Sequence, residues 1–213
     1  YYEHFSKTNP KNNPKWCIYT SSYDRGLENL LKIWPEVIKE VPDAQLHVFY
    51  GWQLFETFYK GNPERMAWKT KMDKMMEFQG ITHHGRISQP EMERWYEKCG
   101  IWAYPSHFYE INCISAIKAQ LWGAVPITIN FAALKTTIKY GKKIEGEIYE
   151  NVSLAPETLE NYKQELIKVL KDPVWQEEQR TKMMPWARKK FGWNKIAESW
   201  IKDFEGVNED GGK

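Results

Sequence analysis

One stretch of this 213-residue sequence constrains the fold more than any other: residues 101–128, IWAYPSHFYEINCISAIKAQLWGAVPIT. Ile101–Tyr104 and Val125–Thr128 are short apolar runs, typical of buried parallel strands. Between them, Cys113–Trp122 has apolar residues at helical spacing, and Gly123 stands where a helix would end. This order of strand, loop, helix and strand predicts an α/β protein with a parallel sheet.

The loop between the first of these strands and the helix is a candidate ligand site. It carries one acidic residue, Glu110, and it leads into a helix whose first backbone N–H groups have no partner within the helix. Those N–H groups and the helix dipole attract phosphate. Ligands of open α/β sheets bind at the carboxyl ends of the strands, where this loop lies. The alternative is a plain connecting loop, as most loops of such a sheet are.

Three further strand candidates precede this stretch. They are Trp16–Thr20, Gln45–Tyr50 and Ile81–His84, and helical patterns separate them. Several helices follow it from Pro156 onwards. We therefore predict a Rossmann-like, doubly wound parallel sheet of about five strands with a C-terminal helical cap.

The chain divides by composition into three parts. Residues 1–14 are polar and contain Asn and Pro, which predicts a linker or extended arm. Residues 15–204 form the predicted domain, and residues 205–213 are expected to be a disordered tail. Within the domain, the charged segment Gly141–Asn151 is expected to be an exposed hairpin or loop.

Composition excludes several classes of function. The net charge is +2 without a long basic block, so no nucleic-acid partner is indicated. The cysteines, Cys17, Cys99 and Cys113, lie far apart, which argues against a disulfide framework or a zinc site and favours a cytoplasmic location. No apolar run approaches the length of a membrane span. The 11 Trp and 12 Tyr indicate an aromatic surface towards another domain or, peripherally, a membrane.

The loops that follow strands would meet at one edge of the sheet: Ser21–Gly26, Gly51–Trp52, His84–Ile87 and Ser106–Cys113. Arg25 and Arg86 in these loops could clamp a diphosphate, because guanidinium binds phosphate oxygens bidentately. Taken singly, each arginine could equally be a solvated surface charge. Glu110 could accept hydrogen bonds from the hydroxyls of a sugar or ribose.

Other chemistries have less support in the sequence. It contains no GxGxxG after the first strand, no Walker A motif and no GxSxG. His83 and His84 have no third ligand at a suitable spacing, so no metal site is predicted. His107 lies in the candidate loop and is expected to face solvent, with substrate contact as the alternative.

Three segments together resemble a known family: YTSSYDRGLENLL, GRISQPEMERWYEKCGIWAYPS and EINCISAIKAQLWGAVPIT. They are similar to the C-terminal domain of family-four (group 1) glycosyltransferases, which are retaining enzymes of the GT-B fold. The resemblance covers about Lys15–Tyr140. It implies a donor-binding domain for a nucleotide diphosphate sugar, needing no metal or other cofactor. It also implies a separate N-terminal acceptor domain, and a glycan or lipid as the acceptor.

The resemblance also implies roles for individual residues. Arg25 would contact the donor diphosphate, Gly85–Arg86 the base, and Glu110 with the amides of Ile111–Ile114 the donor sugar. Arg25 and Glu110 are the expected catalytic residues. The full set of expected donor-binding residues is Ser21, Ser22, Arg25, Gly51, Gly85, Arg86, Glu110, Ile111, Asn112, Cys113, Ile114 and Lys118.

Lys118 departs from the family pattern. The family has a second Glu eight positions after the first, which typically binds ribose hydroxyls, and here that position is Lys118. A lysine can only donate hydrogen bonds, so it could reach ribose oxygens, pair with Glu110 or extend into solvent. The change supports one alternative to a transferase, a non-catalytic nucleotide-sugar-binding module. A sugar-nucleotide epimerase of the same two-domain fold is a further alternative, although the sequence shows none of its motifs.

Overall fold

A computed structural model of the chain describes residues 12–149 and 153–210, with side chains up to residue 205. Within these residues, six parallel strands form one sheet in the order β3-β2-β1-β4-β5-β6. Their bounds are Asn13–Tyr19 (β1), Gln45–Phe49 (β2), Ile81–Gly85 (β3), Cys99–Tyr104 (β4), Val125–Ile129 (β5) and Lys142–Ile144 (β6). This strand order confirms the predicted Rossmann-like, doubly wound sheet.

Helices cover both faces of the sheet, which is why its central strands can be apolar throughout. All residues of β4 and β5 are buried. The helices are Leu27–Glu40 (α1), Gln53–Tyr59 (α2), Pro63–Met76 (α3), Gln89–Lys98 (α4), Ile114–Trp122 (α5), Leu134–Thr137 (α6), Pro156–Leu170 (α7), Pro173–Phe191 (α8) and Trp193–Asp210 (α9). A small antiparallel pair, Ile148–Tyr149 (β7) and Ser153–Leu154 (β8), precedes α7.

The sheet has its topological switch point between β1 and β4. These strands are adjacent and parallel, with Ile18 opposite Trp102, but the chain leaves β1 towards β2 and leaves β4 towards β5. The loops that follow β1 and β4 therefore diverge and leave a crevice at the carboxyl edge of the sheet, where open α/β folds bind ligands.

The structure differs from these expectations in three places. β1 begins at Asn13, inside the expected arm 1–14, and Asn12 Nδ2 donates to the Cys99 carbonyl oxygen at 2.9 Å. Residues 142–144 form a sixth strand where an exposed hairpin or loop was expected; β6 is a short edge strand with two lysines, which blurs the strand pattern. Residues 1–11 lie outside the described residues.

The C-terminal end is helical as predicted, formed by α7, α8 and α9. Helix α9 continues to Asp210, so residues 205–210 of the expected tail are helical. One internal Gly costs a helix only about 1 kcal/mol, and cooperative helix growth can pass it. Residues 211–213 lie outside the described residues. In the described ranges, no helix has both the length and the apolar composition to cross a membrane.

Candidate functional site

The crevice at the switch point is held in shape by Gly26. The chain turns sharply after β1 through Tyr23–Arg25 and then reaches Gly26, whose φ is +115°. A Cβ atom at this position would lie 2.5 Å from the carbonyl oxygen of Pro105, in the loop after β4. Asn29 Nδ2 donates to the same oxygen at 3.0 Å. Only glycine permits both the backbone angle and this close approach of the two loops.

Glu110 lies at the centre of the crevice and is only 5% exposed. The Tyr104 hydroxyl donates to Glu110 Oε1 at 2.7 Å, and Arg25 Nη1 lies 3.4 Å from the same oxygen. The Arg25 guanidinium also stacks 4.1 Å above the Phe108 ring. Because 3.4 Å is longer than a usual charged hydrogen bond of roughly 2.7–2.9 Å, Arg25 is held near Glu110 but remains available to a ligand.

Tyr104 orients the carboxylate of Glu110. Its hydroxyl shares a further hydrogen bond of 3.2 Å with Ser21 Oγ. Burial raises the pKa of Tyr104 well above the usual range, with the nearby Cys113 and Glu110 as smaller causes, so the hydroxyl keeps its proton and donates it. Tyr104 is not among the residues predicted from the sequence; its position as the last residue of β4, just before the candidate loop, is the signal that could have identified it.

A cavity of about 200 Å³, which we call the carboxylate pocket, opens beside Glu110. Its lining residues are Thr20, Ser21, Ser22, Arg25, Tyr50, Glu110, Asn112, Cys113, Ile114 and Ser115. The pocket meets the start of α5, where the N-cap residue Cys113 makes no side-chain capping hydrogen bond. Burial raises the pKa of Cys113 to about 12, so its side chain is a neutral thiol. The positive end of the α5 dipole thus faces this cavity without a capping group.

An adjoining cavity of about 310 Å³, the basic pocket, lies between α4, α5 and the ends of β2 and β3. Its lining residues are Thr20, Tyr50, Gly51, Gln53, Leu54, Arg86, Ile87, Gln89, Met92, Tyr96, Ile114, Ser115 and Lys118. Arg86 and Lys118 are the charged members of this set, and both are cations. Lys118 Nζ donates to Gln89 Oε1. The structure thus places Lys118 at a wall of the basic pocket, where its partner is Gln89 rather than Glu110.

The chain between the two pockets is strained. Tyr50 has a φ of +134°, in a region that side chains other than glycine rarely adopt, and its amide donates to the Gly85 carbonyl oxygen at 3.0 Å. Gly51 follows with φ +83°, and a Cβ there would lie 3.1 Å from the Arg86 amide nitrogen. Backbone strain such as that at Tyr50 costs about 1–3 kcal/mol per residue and concentrates at binding sites, whereas Gly51 adopts its angle without strain.

Most residues expected at the donor site meet around these two pockets. The members in the carboxylate pocket are Ser21, Ser22, Arg25, Glu110, Asn112, Cys113 and Ile114. The members in the basic pocket are Gly51, Arg86, Ile114 and Lys118. Gly85 and Ile111 line neither pocket: Gly85 contacts Tyr50 through its carbonyl oxygen, and Ile111 is 90% exposed. Both pockets are also lined by Tyr50, Thr20 and Ser115, which were not among the predicted site residues.

The histidines are used for packing in the described structure. His83 Nε2 lies 2.7 Å from the Tyr23 hydroxyl, and His84 Nε2 lies 3.0 Å from His47 Nδ1. His107 is half-buried near Asn29, where a solvent-facing position was expected, and burial lowers its pKa. In residues 12–149 and 153–210, no three side chains of His, Cys, Asp or Glu are grouped in a way that could hold a metal ion.

No protein-family model matches this sequence, and no curated protein matches it. Solved structures do resemble it. A point mutant of TarM from S. aureus, in complex with fondaparinux, α-GlcNAc-glycerol and UDP, superposes with a TM-score of 0.67 at 16% identity, over 92% of this chain and 36% of that one. Sucrose-phosphate synthase from Thermosynechococcus elongatus gives 0.67 at 18% identity, over 92% and 46%. The chain has the fold of GT-B glycosyltransferases.

A third similar structure is a single domain. It is the C-terminal domain of a glycosyl transferase group 1 family protein, LpcC, from Francisella tularensis, with a TM-score of 0.59 at 14% identity, over 82% of this chain and 84% of that one. This chain therefore spans about a third to a half of the two longer structures and most of the isolated domain. At these identities the likeness concerns the fold.

Proposed function

We propose that this chain is the donor-binding domain of a retaining glycosyltransferase, which moves a sugar from a nucleotide diphosphate sugar to a glycan or lipid acceptor. One observation carries the proposal: Arg25, Glu110 and the uncapped start of α5 surround one pocket at the switch point of the sheet. The UDP in the TarM structure and the isolated group 1 C-terminal domain support it.

In the proposed complex, each part of the donor occupies a region of matching chemistry. The sugar lies in the carboxylate pocket, where Glu110 accepts hydrogen bonds from its hydroxyls. The diphosphate lies against Arg25 and the amides from Asn112 to Ile114. The nucleoside extends into the basic pocket, where Lys118 can donate to oxygen acceptors.

The catalytic contribution of this domain would be to stabilise the leaving group. When the bond between the sugar and the diphosphate breaks, negative charge develops on the leaving phosphate oxygen. Arg25 and the amides at the start of α5 are fixed before the reaction, so they stabilise that charge without reorganising. Glu110, held by Tyr104, would fix the sugar. Acceptor groups and the attacking hydroxyl would come from a second domain and the acceptor, and no metal or other cofactor is part of this proposal.

Calorimetric titration of this chain with UDP, GDP, ADP and their sugar conjugates tests the donor site. We expect one nucleotide to be preferred and Arg25→Ala to weaken its binding at least about tenfold, since one charged hydrogen bond to phosphate is lost. The matched control is Arg94→Ala, because Arg94 is an exposed arginine of α4 outside both pockets. Equal binding by the Arg25 and Arg94 variants would contradict the proposal, as would failure of a two-domain parent protein to bind any of these nucleotides.

A second candidate function is a non-catalytic nucleotide-sugar-binding module, and Lys118 is the residue that favours it. A cation stands where the resembled family has a carboxylate, so the contacts to ribose must differ. A transfer assay with the longer parent protein distinguishes the two. Transfer that is abolished by Glu110→Gln supports the enzyme, whereas nucleotide binding without transfer from any donor supports the module.

The cellular setting is also part of the proposal. We place the parent protein in the cytoplasm, because Cys17, Cys99 and Cys113 are free and buried. Peripheral membrane contact would involve exposed aromatic residues such as Trp200 and Phe204 on α9. Membrane fractionation of the parent protein, with and without a salt wash, would test this placement.

A further inference from the structure

A third cavity, which we call the aromatic pocket, opens on the other side of Tyr50, between the turn after β1 and helix α2. Its volume is about 190 Å³. Six aromatic side chains dominate its walls: Tyr23, Tyr50, Trp52, Phe55, Phe58 and Tyr59. Phe58 is 76% exposed, so one wall is a large apolar side chain that is open to solvent. The proposed donor contacts use none of the α2 aromatics, which leaves this surface unexplained.

The charge of the aromatic pocket is opposite to that of the basic pocket. Asp24 lies in its lining, and the lining contains no Lys or Arg within the part of the chain that the structure describes. Arg65 and Lys69 lie over the rings of Tyr59 and Trp52 respectively, each 5.2 Å from the ring centroid, and neither lines the cavity. A phosphate would therefore meet a carboxylate and no direct cationic partner, which favours an uncharged ligand.

The inner walls are fixed before any ligand binds. The Tyr23 hydroxyl accepts a hydrogen bond from the Gly51 amide at 2.9 Å, and Trp52 Nε1 donates to Asp73 Oδ1 at 2.7 Å. The Tyr23 and Trp52 rings pack edge to face, with centroids 4.6 Å apart. Rigid aromatic walls bind at a low entropic cost, because few rotamers have to be frozen.

We propose that the aromatic pocket binds a neutral pyranose ring. The faces of aromatic rings are negative and attract the polarised C–H groups of a sugar. Asp24 and Ser22 at the pocket can accept hydrogen bonds from sugar hydroxyls. The volume is below the roughly 300–1,000 Å³ typical of pockets for larger ligands, so it suits a single ring.

The position of the pocket identifies the sugar as part of a glycan acceptor, a role that rests on the proposed function. The aromatic pocket shares Ser22 and Tyr50 with the carboxylate pocket, where the donor sugar is placed. A saccharide on one side of Tyr50 would therefore lie next to a nucleotide sugar on the other. The domain would thus contact both substrates, with a second domain completing the acceptor site.

Saturation-transfer NMR and calorimetry with methyl glycosides of common hexoses test this inference on the chain as it stands. We expect binding on the order of 10 mM or tighter, reduced at least about fivefold by Phe58→Ala through loss of one stacking wall. Phe204→Ala is the matched control, because Phe204 is similarly exposed at 66% but lies on α9. UDP is titrated into every variant, and Phe58→Ala should leave its affinity unchanged.

The two proposals fail separately in this experiment. UDP binding with no glycoside binding, or glycoside binding that Phe58→Ala does not reduce, overturns the sugar site and leaves the donor site intact. Glycoside binding without nucleotide binding supports the pyranose site but removes its acceptor role. Binding of octyl but not methyl glycosides would show that the pocket takes an alkyl chain, which also contradicts the proposal.

Discussion

Two helices begin at the switch point, α1 after β1 and α5 after β4, and their N-termini differ. The Pro105 carbonyl oxygen occupies the first turn of α1, where Asn29 donates to it and Gly26 leaves it room. Neither helix has a capping side chain, but the first turn of α5 opens on the carboxylate pocket, with Ile114 61% exposed. Equivalent places in the topology are thus used differently: α1 fixes the two loops together, and α5 faces the proposed ligand.

The largest expected effect separates these uses through α1. Gly26→Ala places a Cβ 2.5 Å from the Pro105 oxygen at a φ of +115°, so we expect the free energy of unfolding to fall by about 3 kcal/mol. Urea denaturation measures it. Gly61→Ala is the control, since a Cβ there meets nothing within 4 Å, and its effect should stay within about 0.5 kcal/mol. A Gly26→Ala variant as stable as the control would refute the tight junction.

A smaller effect on the free energy of unfolding is expected from pH, through buried histidines. Of the two loops compared here, only the loop after β4 contains a histidine, His107. The strongest histidine shift lies elsewhere: burial lowers the pKa of His47 to about 4, with the charges of His84 and Lys98 as smaller causes. As the pH falls below the ordinary value of 6.5, the unfolded chain takes up this proton before the folded chain does. The free energy of unfolding should therefore fall by about 2 kcal/mol between pH 6.5 and 4.

Two variants separate the contribution of His47, on β2, from that of His107, in the loop after β4. His47→Gln should remove most of the slope in urea denaturation, and His107→Gln should remove a smaller part, because burial also lowers the pKa of His107. An unchanged slope in His47→Gln would contradict the assignment to His47. If His107→Gln removed more of the slope than His47→Gln, the loop after β4 would be packed more tightly around His107 than we infer.

The smallest effect tests the start of α5 directly. Ile114→Pro removes one backbone N–H at the first position of the helix, where proline is tolerated, and the preceding Cys113 is already extended. We expect the free energy of unfolding to change by less than about 1 kcal/mol and calorimetric UDP affinity to fall about tenfold. Ile114→Ala keeps the N–H and is the matched control. Equal affinities for the two variants would show that this amide does not bind phosphate.

The strength of local patterns decided how much of the fold could be predicted. The five longer strands were found because apolar runs such as Ile101–Tyr104 contrast with the amphipathic helices between them. β6 was missed because a three-residue edge strand has no period to detect. The start of β1 was misplaced because Pro14 and its polar neighbours are typical of loops, although Asn13 pairs with Cys99.

The candidate site was predictable where residue type determines the chemistry. Arg25 and Glu110 were selected as charges in loops at strand ends, and the topology brings them within 3.4 Å. Tyr104 and Tyr50 were not selected, because an aromatic residue at a strand end has the same sequence signal whether it packs or orients a neighbour. Contacts between residues far apart in sequence, such as Lys118 with Gln89, depend on helix packing that no local pattern encodes.

The pairing of β1 with β4 also sets the order in which the molecule can assemble. On one side of β1, Ile18 pairs with Trp102, which is far away in the sequence. On the other side, Ile18 pairs with His47, which is much closer in the sequence. Long-range closure is slow because a large loop must lose entropy before contacts form. The crevice therefore exists only after the two halves of the sheet have joined. A ligand bound across the boundary between β1 and β4 would have to leave before the two halves of the sheet separate. It would therefore lengthen the lifetime of the folded chain.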